Sequence, residues 1–210
     1  LPALNDPSYG TTIDGWTNLG NNGTPNSTAV FSVTSATPLN AVHKVILTNS
    51  SVSTSSGTVQ AGLVLTSNNN LVKGLVLNIG TAGSAWDRAV TVNGSNNQVL
   101  GCYIGMDYTG TVTSGTVDVG IEIIGANNTI GNGTAGGMNL ISGMVASGTS
   151  KCIAMTGAAA SGNTIKGNIV GLQATGSSVA STINTQGINM YNYAASNTIG
   201  GTAAGEGNVI

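Results

Sequence analysis

The residues able to do chemistry are few, and one pair of them has a suggestive spacing. The chain of 210 residues contains seven acidic side chains and a single histidine. Asp87 and Asp118 each lie two residues before the small residue, Ala89 or Gly120, that opens an alternating apolar segment. If those segments are neighbouring stacked strands, the two carboxylates would be about 5 Å apart. Carboxylates at that distance, with Arg88 beside them, could bind Ca²⁺ or share acid–base chemistry.

The surroundings of this pair argue against an enzyme. The equivalent positions before other alternating segments are Gln60, Ser150 and Thr185. Two solvated turn aspartates are therefore the alternative interpretation. Glu122 follows Asp118 by four strand residues, roughly 13 Å, which is too far for a compact dyad. His43 has neither a second ligand nor a triad pattern near it. We predict no catalytic residue, no cofactor and no metal site, and leave cation binding by Asp87 and Asp118 open.

The elements that would position these residues come from an internal repeat. The segment "NTIGGTAAGEGNVI" (197–210) matches "NTIGNGTAGGMNLI" (128–141), and "NTIKGNIVGLQATG" (163–176) matches "NQVLGCYIGMDYTG" (97–110). Each copy follows an alternating apolar segment, so five turns of one pattern run from about residue 60 to residue 210. A repeat of about 30 residues is typical of solenoid proteins. The asparagines that mark the five turns are Asn70, Asn97, Asn128, Asn163 and Asn197.

The repeat predicts an all-β fold, a parallel β-helix of about seven rungs with three short strands each. We expect one domain, 1–210, with lead-in rungs in 1–59 and five clear turns in 60–210. Inward side chains should stack in columns, and the marker asparagines should form a ladder at one turn. The predicted core columns are Leu63, Val90, Ile121, Ile153 and Ile188; Leu65, Val92, Ile123, Met155 and Met190; Val72, Val99, Ile130, Ile165 and Ile199; and Leu77, Ile104, Ile141, Val170 and Ile210.

Composition and cysteine placement exclude several other classes. Only 6% of residues are charged and the formal charge is -2, so the basic surface of a nucleic-acid-binding protein is lacking. No apolar run approaches the roughly 18 residues of a membrane span. Cys102 and Cys152 fall at different corners of the predicted coil, so we expect two buried thiols and no disulfide. Trp16, Trp86, Tyr191 and Tyr193, which could present rings to sugars, do not share a column.

The repeat segments resemble those of a known superfamily. "NTIKGNIVGLQATG" and "NTIGGTAAGEGNVI" are similar to repeats in large bacterial right-handed β-helix proteins of the pectate-lyase-like superfamily. The lead-in "LPALNDPSYGTTIDGWTNLGNNGTP" is similar to theirs, and the likeness covers most of 1–25 and 60–210. It implies a right-handed β-helix that is extracellular or on the cell surface, with its signal sequence outside this chain. Because the superfamily includes lyases, hydrolases, epimerases and members without known chemistry, it does not fix an activity.

Two features favour assembly over catalysis. An outward apolar stripe runs along the third strands, through Val76, Tyr103, Leu140, Ile169 and Val209. It is either a contact surface or is covered by loops such as "GMDYTGTVTSG". The last rung, with Asn208, Val209 and Ile210, is predicted to stack on a further rung, supplied by a head-to-tail copy or by flanking domains of a longer chain. We predict a non-enzymatic extracellular structural protein that stacks end to end. The alternative is a polysaccharide-binding or polysaccharide-active β-helix, with surface glycans as partners.

Overall fold

A computed structural model describes residues 3–17, 22–27, 39–48, 61–79, 88–114, 117–144, 149–180 and 186–210. Strands make up nearly all of their regular structure, with one 3₁₀ helix at Ala135–Gly137. In chain order the strands are β1 (Thr12–Asp14), β2 (Val45–Thr48), β3 (Ala61–Leu65), β4 (Leu71–Lys73), β5 (Leu75–Asn78), β6 (Arg88–Val92), β7 (Gln98–Leu100), β8 (Tyr103–Ile104), β9 (Val119–Ile123), β10 (Thr129–Ile130), β11 (Leu140–Ile141), β12 (Lys151–Thr156), β13 (Thr164–Ile165), β14 (Ile169–Val170), β15 (Gln186–Tyr191) and β16 (Thr198–Ile199).

The strands form three parallel sheets that wind into a β-helix. Sheet A contains β3, β6, β9, β12 and β15, sheet B contains β1, β4, β7, β10, β13 and β16, and sheet C contains β2, β5, β8, β11 and β14. The predicted all-β parallel β-helix is therefore confirmed. Six rungs, counted by the strands of sheet B, follow one another along the axis of the described part, fewer than the predicted number of about seven. Rung 1 consists of Leu4, β1 and β2, and rung 6 consists of β15, β16 and Val209.

The strand register confirms the predicted core columns. In sheet A, Leu63 pairs with Val90, which pairs with Ile121, and the series continues to Ile188. The second sheet A column and the sheet B column pair as predicted, and Val170 lies beside the bridge from Ile169 to Val209 in sheet C. The members of these columns in rungs 2 to 5 form one buried cluster inside the coil. Since neighbouring parallel strands lie about 4.8 Å apart, each apolar side chain packs directly on its counterpart in the next rung.

Two sharp corners per turn explain the asparagines and glycines of the repeat. The residue before each ladder asparagine has a positive φ, as at Asn69 (61°), Asn96 (58°) and Asn127 (58°). Asparagine tolerates this left-handed conformation better than most residues. The second corner follows sheet B, where Gly74 has φ 70°, and a Cβ there would lie 2.5 Å from Cδ2 of Trp16. Glycine is required at that corner for both reasons.

Candidate functional site: the asparagine ladders and the last rung

The predicted asparagine ladder is present and joins consecutive rungs. The Oδ1 atom of each member accepts the backbone N–H of the ladder residue one rung earlier, at 2.8 Å in all four steps from Asn70 to Asn197. Asn70 continues the series to rung 1 by accepting the N–H of Thr11 at 2.8 Å. Four of the five members, all but Asn197, are buried. Since a buried N–H without an acceptor is costly, the ladder fixes the register of the rungs at this corner.

A second ladder lies at the corner between sheets B and C. Asn139 Nδ2 donates to Asn168 Oδ1 at 2.9 Å, and Asn168 Nδ2 donates to Asn208 Oδ1 at 3.0 Å. Each member also donates to a carbonyl of an earlier rung, for example from Asn208 to Ile165 at 2.9 Å. Sequence analysis did not predict this ladder, although the aligned repeats place these three residues at one position. Cys102 occupies that position in the third rung, and its N–H donates to Asn139 Oδ1 at 2.9 Å.

The last rung exposes the interior of the coil. Met190, Ile199 and Ile210 are 50%, 41% and 65% exposed, whereas their column neighbours Met155 and Ile165 are fully buried. Met190 and Ile199 lie in the last strands of sheets A and B, and Ile210 follows Val209, which bridges Ile169 of sheet C. Within the described residues, the backbone N–H of Asn197 has no acceptor, unlike the corresponding group in the four earlier ladder asparagines. The rung thus presents both an apolar surface and open strand edges.

The outward stripe is not a free surface. Val76, Tyr103, Leu140 and Ile169 are at most 1% exposed and pack in a second cluster outside the coil, with Met106 and Ala174. The expectation that these four residues offer a contact surface to another subunit is therefore wrong, and the alternative of covering loops applies. Val209, the fifth member, is half-buried in the last rung.

Two stacked hairpin loops provide the cover. Met106 bridges Thr113 in one loop, and Leu172 bridges Val179 in the equivalent loop two rungs later. The Ala174 N–H donates to the Gly110 carbonyl at 2.8 Å, which ties the loops together. The loops that follow sheet C in rungs 3 and 5 therefore form a second apolar layer over the outer face of this sheet.

The acidic residues do not form a compact site in the described part of the chain. Asp118 is 6% exposed and accepts a hydrogen bond from Ser150 Oγ at 3.0 Å, so it links rungs 4 and 5. Arg88 pairs in register with Val119, as expected if the segments before them align, but Asp87 lies outside the described residues. Glu122 forms an ion pair with Arg88, with Nη2 and Oε1 3.0 Å apart. Among the described residues, no group of three or more potential metal ligands occurs.

Two lysines at equivalent positions of the repeat, Lys73 at the end of β4 and Lys166 directly after β13, are ion-paired. Lys73 Nζ lies 3.0 Å from Asp14 Oδ2, and Lys166 Nζ lies 2.8 Å from Glu206 Oε1. Burial opposes ionisation of Asp14, but hydrogen bonds from Lys73 and Thr17 hold its pKa below the usual range. The hydrogen bond from Lys166 likewise lowers the pKa of Glu206. Each pair connects one rung to the next along the outside of the coil.

The single histidine is a core residue. His43 is 4% exposed, and its ring lies 4.8 Å from the ring of Trp16 and 4.2 Å from that of Tyr103, measured between centroids. Nε2 donates to the Gly101 carbonyl at 2.9 Å, which leaves Nδ1 as a buried acceptor without a partner in the described residues. Burial lowers the pKa of His43, although the hydrogen bond to Gly101 acts in the opposite direction. This cluster connects residues 39–48 to the third rung.

The cysteines and aromatic residues considered in the sequence analysis lie in the core or in turns. Cys102 and Cys152 are both buried and unbridged, and burial raises the pKa of each thiol to about 12. Trp16 is buried against the corner glycines, and Tyr193 is 90% exposed at a turn. Trp86 lies outside the described residues. The aromatic residues that the structure places therefore do not form a shared platform for a sugar.

Comparisons with known proteins identify no relative of this chain, so its fold is the main guide to its function. In the described residues, none of the helical structure reaches the length and apolarity needed to cross a lipid bilayer. No protein-family model, no curated protein and no solved structure matches the sequence. The arrangement shown is a parallel β-helix with two asparagine ladders, a covered outer face and a last rung that exposes its core columns.

Proposed function

We propose that the chain is a non-enzymatic extracellular structural protein, a β-helix subunit or module that stacks end to end into a filament, sheath or long adhesin. The observation that carries this proposal is the exposure of three core columns on the last rung, at Met190, Ile199 and Ile210. Removal of apolar area from water contributes about 25 cal/mol per Å², which favours a further rung on this surface and opposes the entropy cost of association. The open strand edges supply the backbone hydrogen bonds of such a rung.

The extracellular location rests on the composition and on the resemblance to large surface β-helix proteins of the pectate-lyase-like superfamily. A surface with few charges and many small polar residues suits close packing in a fibre. The rung that covers Ile199 would come from another copy of the chain or from flanking domains. In both arrangements, apolar side chains continue the core columns and backbone groups continue the hydrogen bonds between neighbouring strands.

Electron microscopy and sedimentation of the purified chain over a range of concentrations test the proposal. We expect particles that lengthen with concentration in steps of one β-helix. Monomers that persist at the highest concentration, with the last rung protected from hydrogen exchange, would overturn it, because protection without association means that the chain covers this rung itself. Binding to an acidic glycan that is lost in Asp118→Asn would favour the polysaccharide alternative.

A further inference from the structure

We propose that protonation of His43 in mild acid releases a two-stranded ribbon from the side of the coil. The ribbon consists of residues 22–27 and 39–43, and the backbone groups of Thr24 and Val42 join its two strands with hydrogen bonds of 2.8 and 2.9 Å. Leu39 and Ala41 of the ribbon pack on the second apolar cluster, outside sheet C. Release of the ribbon therefore uncovers part of that cluster. This inference is independent of end-to-end stacking.

The His43 side chain is a main attachment of the ribbon to the coil. Between described residues, two hydrogen bonds join the ribbon to later rungs. The Leu39 N–H donates to the Ala174 carbonyl at 2.8 Å, and His43 Nε2 donates to the Gly101 carbonyl at 2.9 Å. The imidazole also packs between two aromatic rings. Without the His43 contacts, one of these hydrogen bonds and apolar packing would hold the ribbon in place.

The surroundings of the ring suit the neutral imidazole and not its cation. Because Nε2 donates to Gly101, Nδ1 is a buried acceptor without a partner in the described part of the chain. Protonation adds an N–H at Nδ1 that has no acceptor there, and it places a positive charge on a side chain that is 4% exposed. Attraction between the cation and the neighbouring aromatic rings offsets part of this cost. Since water hydrates the imidazolium fully, protonation favours the released ribbon.

Burial governs the ionisation of His43, because the titratable groups around the ring are neutral, paired or exposed. Burial raises the pKa of the Tyr103 phenol and raises that of the Cys102 thiol to about 12, so both stay neutral. The charged side chains on the elements packed against the ring are an ion pair of Asp14 with Lys73, a carboxylate that accepts hydrogen bonds within its own loop at Asp107, and an exposed ammonium at Lys44. Burial therefore lowers the pKa of His43, against the opposing effect of its hydrogen bond to Gly101.

Hydrogen exchange measured by mass spectrometry tests the release in monomers and assemblies alike. Release takes up one proton, so below the unfolded pKa of about 6.5 its equilibrium constant should rise by up to about tenfold per pH unit. The protection of the Leu39 amide, corrected for the intrinsic exchange rate, should fall by the same factor between about pH 6.5 and about pH 5.5. The Thr129 amide, which donates to the Asn97 carbonyl between rungs, should keep its protection. Equal losses at both amides would mean that the whole chain unfolds, and constant protection at Leu39 would mean that nothing is released; either result overturns the proposal.

Neutral variants identify His43 as the group that titrates. His43→Gln keeps a side-chain N–H for Gly101, and His43→Phe fills the space between the aromatic rings. In each variant that thermal unfolding shows to be folded, the protection of the Leu39 amide should no longer depend on pH. Lys44→Gln removes the adjacent exposed charge and is the matched control, so it should keep the native pH response. An unchanged response in the His43 variants, or its loss in Lys44→Gln as well, would overturn this inference and leave end-to-end stacking standing.

Discussion

Removal of one asparagine from the middle of the first ladder should cost a large part of the stability of the chain. Asn128 is fully buried, and its Oδ1 accepts the Asn97 N–H at 2.8 Å while its Nδ2 donates to the Gly94 carbonyl at 3.0 Å. Asn128→Ala leaves both backbone groups buried without partners. With about 1–2 kcal/mol for each orphaned group, the free energy of unfolding should fall by about 3 kcal/mol. For a chain of this size that corresponds to a decrease in Tm of about 6–12 °C.

The assay is thermal and urea unfolding followed by far-ultraviolet circular dichroism, with two comparison variants. Gln98→Ala removes an exposed side chain next to the ladder residue Asn97 and should change stability by less than about 0.5 kcal/mol. Asn128→Asp keeps the acceptor for Asn97 but turns an oxygen toward the Gly94 carbonyl, so it should be at least as destabilising as alanine. If Asn128→Ala costs no more than Gln98→Ala, the ladder does not hold the rungs in register and the reasoning is wrong.

Three further predictions concern buried polar groups. Burial lowers the pKa of His43, so the neutral imidazole is favoured in the folded chain. The free energy of unfolding is therefore highest above the unfolded pKa of about 6.5 and decreases as the pH falls below it. His43→Phe should flatten the dependence of Tm on pH between about 7 and 5, and an unchanged slope would contradict this. The thiols of Cys102 and Cys152 are buried, and their pKa is raised to about 12. They should not react with an aromatic disulfide reagent at about pH 8 in the folded chain, and two thiols per chain should react after unfolding. Rapid reaction of the native chain would refute their burial. Glu122→Ala removes the carboxylate from a nearly buried ion pair with Arg88 and should lower the free energy of unfolding by about 3 kcal/mol. The double variant Arg88→Met with Glu122→Leu should lower it by less than about 1 kcal/mol, because no charge is left buried. Equal decreases in urea unfolding would show that the unpaired charge is not the cause.

The repeat determined most of the fold because its two signals are local. Alternation of apolar residues fixes which side chains of each strand face inward, and the recurring asparagine fixes the register between turns. The columns from Leu63 to Ile188 and the ladder from Asn70 to Asn197 could therefore be assigned without coordinates. The aligned repeats also place Asn139, Asn168 and Asn208 of the second ladder at one position. Cys102 at the same position obscured it, because a single exception in a short series hides a pattern.

The tertiary structure alone decided which outward residues are exposed. Val76 and Tyr103 alternate outward like any solvent-facing strand residue, and the hairpin loops together with Leu39 and Ala41 make them part of a second core. The ion pair of Lys166 with Glu206 joins residues from different rungs, and the contact of His43 with Gly101 brings the lead-in segment onto the third rung. Such contacts depend on how loops of unequal length fold back, which no local period encodes. The sequence by itself thus determined the coil, its core columns and its first ladder. Folding in three dimensions decided that the side of the coil is covered, since the alternation of a strand is encoded locally, whereas solvent exposure depends on how distant segments pack.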